Sequence, residues 1–185
     1  MLKSVDECYG RILDSLEKQG LSQNTIVVFN SDNGGNTHSN VPDTSKTEKA
    51  EKSKSESLAD WRKWAGDQPP TMNTPLREGK GTLYEGGTRV PLMWSWPGRI
   101  RAGSTNNSVV GHIDVYPTLV ELIGIAKPVQ QKMDGVSYAK SLRSGQSLDR
   151  KAFFNYFPHG PSPGRAGGVW VRSGDWKLIR WFGAD

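Results

Sequence analysis

The chain has one cysteine, no long apolar run, and only 35% hydrophobic residues among its 185. A lone thiol, Cys8, excludes an internal disulfide, so cysteine usage says nothing of the redox compartment. A bilayer-spanning helix needs about 20 mostly apolar residues in a row, and no such stretch exists. Met1 leads straight into a polar, helix-like segment rather than a secretory leader. A stripe of Lys and Arg with interleaved aromatics is also missing. With a net charge of only +5, no nucleic-acid partner is expected, and the basic residues are read as a solvated surface. Twenty-one glycines and eleven prolines give loops a large share of the chain, although the length still permits one good core.

What is present reads as α/β. Val5, Cys8, Ile12, Leu13 and Leu16 recur at helical spacing after a capping box at Ser4 and Glu7, with Gly20 as the stop. On that helix Cys8 is expected to be a small buried filler. Residues 25–29 form a β-branched apolar run, read as a buried strand of a parallel sheet. Residues 43–68 are charged, mixed in sign and poor in apolar side chains, which marks an insertion or lid. Leu58, Trp61 and Trp64 share one helical face of its second half. Residues 90–96 give a second buried strand. Asp114 is expected as an N-cap, with Pro117 in the first turn and Leu119, Val120 and Ile123 on one face. Asp134-Gly135 marks a turn, residues 138–142 a short helix, and residues 153–157 an extended piece. A Pro/Gly loop at 158–168 then precedes a hairpin-like pair around Ser173-Gly-Asp175. The tryptophans of both patches, Trp94 with Trp96 and Trp176 with Trp181, are expected in the core.

Two motifs carry chemistry. The first, Thr25-Ile-Val-Val-Phe-Asn-Ser-Asp32-Asn33-Gly34-Gly35, sets a carboxylate and an amide carbonyl side by side at the end of a strand. Ligands of α/β proteins bind beyond such ends. Two oxygens make only part of the six-to-eight-oxygen shell of a hard cation. The second, Leu76-Arg-Glu-Gly79-Lys80-Gly81-Thr-Leu-Tyr-Glu85-Gly86-Gly87-Thr-Arg89-Val-Pro91, holds a lysine between glycines. It lacks the spacing of a phosphate-binding P-loop, and Lys80 reads as a point charge for a multi-oxygen anion. Taken alone, Asp-Asn-Gly is a common turn and a turn lysine a common surface residue. Arg77 and Arg89 read as braces, and Glu85-Gly86-Gly87 as a second tight turn. The three histidines, His38, His112 and His159, make no metal-spaced cluster. His159, in a loop of the kind that reaches into pockets, is kept as a substrate-binding candidate.

In this order the pieces resemble the arylsulfatase-type sulfatases of the alkaline phosphatase superfamily. His112-Ile-Asp114-Val-Tyr-Pro117-Thr118, Asp134-Gly135-Val-Ser and Val171-Arg-Ser-Gly-Asp175-Trp-Lys177 extend the resemblance over nearly the whole chain outside 43–68. It implies a sulfuric ester hydrolase acting on sulfate esters, among them sulfated carbohydrates. Asp32 and Asn33 then match two ligands of a calcium ion (Ca²⁺), and Lys80 matches the lysine that holds the sulfate oxygens. The implied nucleophile is a formylglycine made from Cys or Ser in a Cys/Ser-x-Pro-x-Arg motif near the start of the domain. Cys8 is followed by Tyr9, Gly10, Arg11 and Ile12, so it lacks the proline and arginine, and Ser162-Pro163-Gly164-Arg165 has the wrong spacing. The nucleophile, an early aspartate pair and middle His and Lys residues are therefore expected elsewhere, and the chain reads as a carboxyl-side fragment.

The implied fold is a partial alkaline-phosphatase-like sandwich, a mostly parallel sheet flanked by helices. Residues 1–150 are expected to belong to the catalytic domain and 151–185 to open a small C-terminal antiparallel subdomain. A periplasmic or extracellular parent follows from the resemblance. Two further readings stay open: a phosphodiesterase or phosphonate hydrolase of the same superfamily, and a non-catalytic remnant that holds metal or sulfated glycan.

Overall fold

In chain order the elements are α1 (Leu2–Lys18), β1 (Val27–Asn30), α2 (Glu85–Thr88), β2 (Leu92–Ser95), α3 (Val115–Leu122), α4 (Ala139–Ser144), β3 (Phe153–Phe157), β4 (Gly168–Ser173) and β5 (Trp176–Trp181). One-turn 3₁₀ helices at Ser22–Asn24 and His112–Asp114 precede β1 and α3. The computed structural model describes residues 2–37, 71–125, 132–159 and 167–183. The insertion at 43–68, His38 and most of the Pro/Gly loop lie outside those residues. The chain divides into two compact units, one from Met1–Phe29 and Met93–Phe153, the other from Asn30–Leu92 and Phe154–Asp185.

In the first unit α1 ends as its glycine demands. Gly20 takes φ +68, its N–H donates to the Glu17 carbonyl, and the Leu21 N–H donates to Leu16, the paired bonds of a Schellman stop. The helix starts at Leu2, ahead of the capping box expected at Ser4. No residue of α1 is buried. Ile12 is 56% exposed and Cys8 is exposed too, its sulfur accepting a hydrogen bond from Arg11 Nη2 at 3.0 Å. The expectation of a buried Cys8 is thus corrected. Helical spacing records an apolar face but not what covers it. Strands β1 and β2 are hydrogen-bonded neighbours. Beside them Trp96, Leu122 and Ala139 form a core with Ile26, Trp94, Ile100 and Leu142 packed against it. The Trp96 indole N–H donates to the Gln23 carbonyl, which satisfies its one polar group.

Asp114 stands at the N-cap position of α3 as expected, but its side chain makes no cap bond to that helix. It is fully buried, and its carboxylate accepts from the backbone N–H of Gly111 at 2.7 Å and of Val136 at 2.8 Å. Both Arg150 guanidinium arms close the shell at 2.7 Å each. Burial alone raises the Asp114 carboxyl. The hydrogen bonds from Arg150, Gly111 and Val136, with the Arg150 charge, outweigh it and hold the group below its ordinary 3.8. Gly135 permits the close approach, because a Cβ there would sit 2.0 Å from the Ile113 carbonyl oxygen. Along α3 the buried residues are Pro117, Thr118, Val120 and Leu122, while Ile123 is exposed, unlike the expected face. Burial pushes the neighbouring Tyr138 hydroxyl up to about 12.

The second unit holds a three-stranded sheet in the order β3-β4-β5. Strands β4 and β5 are antiparallel, with Ser173 opposite Trp176, so Gly174-Asp175 is a two-residue turn and Gly174 supplies φ +55 at its first position. Trp170 faces Ile179 on the covered side of the hairpin. Trp176 and Leu178 alternate to the other side, and Trp176 is 84% exposed. The core position expected for Trp176 is therefore corrected: strand period, not aromatic character, decides its side.

Candidate functional site

The chain leaves β1 and turns at once. Ser31 Oγ donates to the Asn33 carbonyl at 2.9 Å, and the Asn33 N–H donates to Asp32 Oδ1 at 2.9 Å. Asn33 Nδ2 donates to the Gly34 carbonyl, also at 2.9 Å. With its amide nitrogen committed inward, Asn33 keeps Oδ1 as the atom for a ligand, next to the exposed Asp32 carboxylate. This donor set fits a share of a hard-cation shell, two oxygens of the six to eight that Ca²⁺ takes. Among the described residues no group of three His, Cys, Asp or Glu gathers to complete one.

The lysine loop lies directly on this turn. The Lys80 N–H donates to the Gly35 carbonyl at 3.0 Å, the Gly34 N–H to Gly87 at 3.1 Å, and the Gly86 N–H to Arg77 at 2.9 Å. Backbone meets backbone because side chains are missing where the loops touch. A Cβ on Gly34 would sit 1.7 Å from the Gly86 oxygen, and one on Gly86 would sit 2.0 Å from the Glu78 oxygen. Both neighbours are main chain and have little room to yield. Gly34→Ala is expected to separate the two loops and to lower the melting temperature by several degrees. An unchanged melting curve would show that the contact is loose. Gly79 is buried while the Lys80 side chain is exposed, so the loop presents its charge to solvent. Glu78 holds φ 58, a left-handed conformation that costs a non-glycine residue about 1–3 kcal/mol.

Two supports of this loop escape sequence reasoning. Asn73 accepts from the Gly35 N–H at 3.1 Å and donates to the carbonyls of Gly35 at 2.9 Å and Glu78 at 3.0 Å. In the sequence it is an asparagine before Thr-Pro and reads only as a turn. Glu85 opens α2, which replaces the tight turn expected at Glu85-Gly86-Gly87. Its carboxylate accepts from Arg172 Nη1 on β4 and from Lys177 Nζ on β5, each at 3.0 Å. Lys177 also donates to Thr88 Oγ1 at 2.8 Å and stands 4.3 Å from the Trp170 ring centroid. Burial lowers the Lys177 amine below its usual 10.5, more than Glu85 raises it. Leu83 fills the space under the hairpin at 2% exposure, worth about 1.5–3 kcal/mol. Arg77 lies 3.9 Å over the Tyr84 ring, the bracing role expected of it.

The structure does not bring every candidate in. His159 is exposed just past β3, and among the described residues no hydrogen bond or ion pair ties it to either loop. The expectation that the chain holds no Ser-x-Pro-x-Arg motif is corrected by Ser95-Trp96-Pro97-Gly98-Arg99, which has that spacing. Ser95 is the exposed last residue of β2, Trp96 goes into the core, and Gly98 turns at φ +73. The N–H groups of Arg99 and Ile100 both donate to the Trp96 carbonyl. Packing and turn formation account for that segment.

Two family descriptions match the chain: Sulfatase over residues 1–125, and N-sulphoglucosamine sulphohydrolase, C-terminal, over residues 79–185. The chain belongs to the sulfatase family. A sulfatase of Formosa agariphila is 36% identical over 167 residues, covering 83% of this chain and 25% of that protein. The N-acetylgalactosamine-6-sulfatase of Mus musculus is 29% identical over 153 residues, 83% of this chain and 24% of its own. Among solved structures, Ps i-CgsB with k-i-k-neocarrahexaose superposes with a TM-score of 0.71 at 26% identity, covering 97% of this chain and 33% of that one. A protein solved with its substrate D-glucosamine-2-N,6-O-disulfate gives 0.68 at 25% identity, covering 100% and 31%. The chain thus spans about a quarter of the length of these curated relatives.

Proposed function

We propose that this chain is the carboxyl-side part of a sulfuric ester hydrolase of arylsulfatase type. The observation that carries the reading is the Lys80 N–H bonded to the Gly35 carbonyl, which sets the cationic loop against the oxygen-bearing turn. Lys80 is read as holding the sulfuryl oxygens of the ester as charge shifts across them, and Asp32 and Asn33 as supplying two oxygens to Ca²⁺. A cation held by Asp32 and Asn33 would supply Lewis-acid polarisation of the sulfate. The main-chain bonds between the two loops hold the backbone that carries both charges in one arrangement.

The formylglycine nucleophile is assigned to the remainder of the protein, and the 185 residues alone are expected to be inactive. Residues 1–150 belong in this reading to a mostly parallel, helix-flanked catalytic sheet, and residues 151–185 to a small C-terminal subdomain. Sulfated carbohydrates are the favoured substrates, since relatives include an N-acetylgalactosamine-6-sulfatase and a protein solved with a disulfated glucosamine. His159 is retained as a rim residue for them, and a periplasmic or extracellular location accords with such substrates.

The test uses the native-length protein and matched sulfate and phosphate esters of one alcohol. Hydrolysis of the sulfate ester, with calcium raising the melting temperature, is the expected result. Asp32→Asn removes one negative ligand and is expected to weaken the calcium-dependent shift by at least half. Preference for the phosphate ester, or a full calcium shift in Asp32→Asn, counts against the reading.

A further inference from the structure

We infer that Asn73 is the positioning residue that sets Lys80 at its working distance from the cation-binding turn; this rests on the proposed sulfatase site and deepens it. One amide side chain meets main chain on both sides. Its Oδ1 accepts the Gly35 N–H at 3.1 Å, while its Nδ2 donates to Gly35 O at 2.9 Å and to Glu78 O at 3.0 Å. Gly35 follows the Asp32-Asn33 pair by two residues, and Glu78 precedes Lys80 by two. Both ligand-bearing segments are therefore referenced to the same planar group.

The surroundings leave this group no substitute. A Cβ on Gly79 would lie 2.7 Å from Asn73 Nδ2 and 2.2 Å from the Gly35 oxygen, and one on Gly35 would lie 2.8 Å from Asn73 Oδ1. Thr71 supports the same strip of chain, its N–H and Oγ1 both donating to the Asn36 carbonyl. The left-handed Glu78 is the residue whose carbonyl Asn73 holds, so the conformation that aims Lys80 depends on that bond. Only an uncharged amide serves here, because the position needs one acceptor and two donors within a single plane. A carboxylate keeps the acceptor, loses both donors and sets a negative charge against two carbonyl oxygens.

That asymmetry defines the test. In Asn73→Asp both carbonyls lose their Nδ2 donor, but Gly35 keeps its N–H bonded to the side chain whereas Glu78 keeps no bond to it, so the Lys80 loop is expected to drift further than the cation turn. Near-angstrom misplacement of a substrate-holding group costs about 100-fold in rate. In the native-length protein, Asn73→Asp is expected to lower kcat on a sulfate ester by about 10- to 100-fold, with KM changing much less. The melting-temperature rise given by inorganic sulfate should vanish, and that given by Ca²⁺ should persist.

If Asn73→Asp keeps kcat within about threefold and retains its sulfate shift, the inference is overturned while the sulfatase reading stands. Parallel loss of both shifts with a lower ligand-free melting temperature shows a merely structural residue and also overturns it. If wild type itself neither cleaves the ester nor responds to sulfate, the functional reading fails, and this inference with it. Lys80→Ala run alongside, losing the sulfate shift and keeping the calcium shift, fixes the pattern that Asn73→Asp must match.

Discussion

Lys80→Ala in the native-length protein is expected to lower kcat on a sulfate ester by about 100- to 1,000-fold, the usual cost of removing one fixed stabiliser of transition-state charge. The loss should fall mainly on kcat. A lysine at that place contributes to holding the sulfate group itself and contributes most where charge accumulates on the transferring group. Arginine is not expected to restore it. Its planar fork is larger than the compact ammonium and presents its donors in a fixed geometry in place of a point charge. Ser95→Ala is the informative control, because Ser95 carries the letters of a nucleophile motif while standing at a strand end. Activity within about twofold of wild type is expected for it. Equal rates for Lys80→Ala and wild type would remove Lys80 from the site.

The largest stability effect belongs to a different residue. Asp114→Ala leaves the Arg150 guanidinium and the Gly111 and Val136 amides without their shared acceptor. Removing one member of a buried ion pair costs about 3–5 kcal/mol, so the melting temperature should fall on the order of 10 °C. The pH dependence carries the same signature. The folded Asp114 carboxyl lies below its ordinary 3.8, so its contribution is complete above that value and is lost as pH falls through the folded value. Denaturation midpoints at neutral pH and near pH 3 should therefore converge in Asp114→Asn more than in wild type. A midpoint in Asp114→Ala within 2 °C of wild type would mean that the pair contributes nothing net.

Which features were legible in the sequence follows from how far apart their partners lie. The glycine stop at Gly20, the strands at β1 and β2 and the Ser173-Gly-Asp175 hairpin are all written within a few neighbouring residues, and each appears within about two residues of its expected place. The cation turn and lysine loop were legible as separate motifs. Their contact was not, because it is made by main-chain atoms of glycines, which leave no pattern of side-chain chemistry. Asp114 was read as a cap because the local spacing fits one. Its carboxylate instead takes the Gly111 N–H three residues back, and its other partners stand 22 and 36 residues further on. Asn73 had no signal at all beyond turn composition, since its three bonds are to backbone groups that every residue carries. The apolar stripe of α1 is legible as a helix face, while the burial expected of Cys8 on it is not found.

The Glu85 carboxylate gives the lysine loop an unusual history during synthesis. Its partners Arg172 and Lys177 stand 87 and 92 residues further along the chain. At roughly 5–20 residues per second, a ribosome delivers them about 5–20 s after Glu85 itself. For that interval the Glu85 carboxylate is without both of these partners. A ribosome that stalls before β4 therefore leaves the lysine loop without the two cations that hold Glu85.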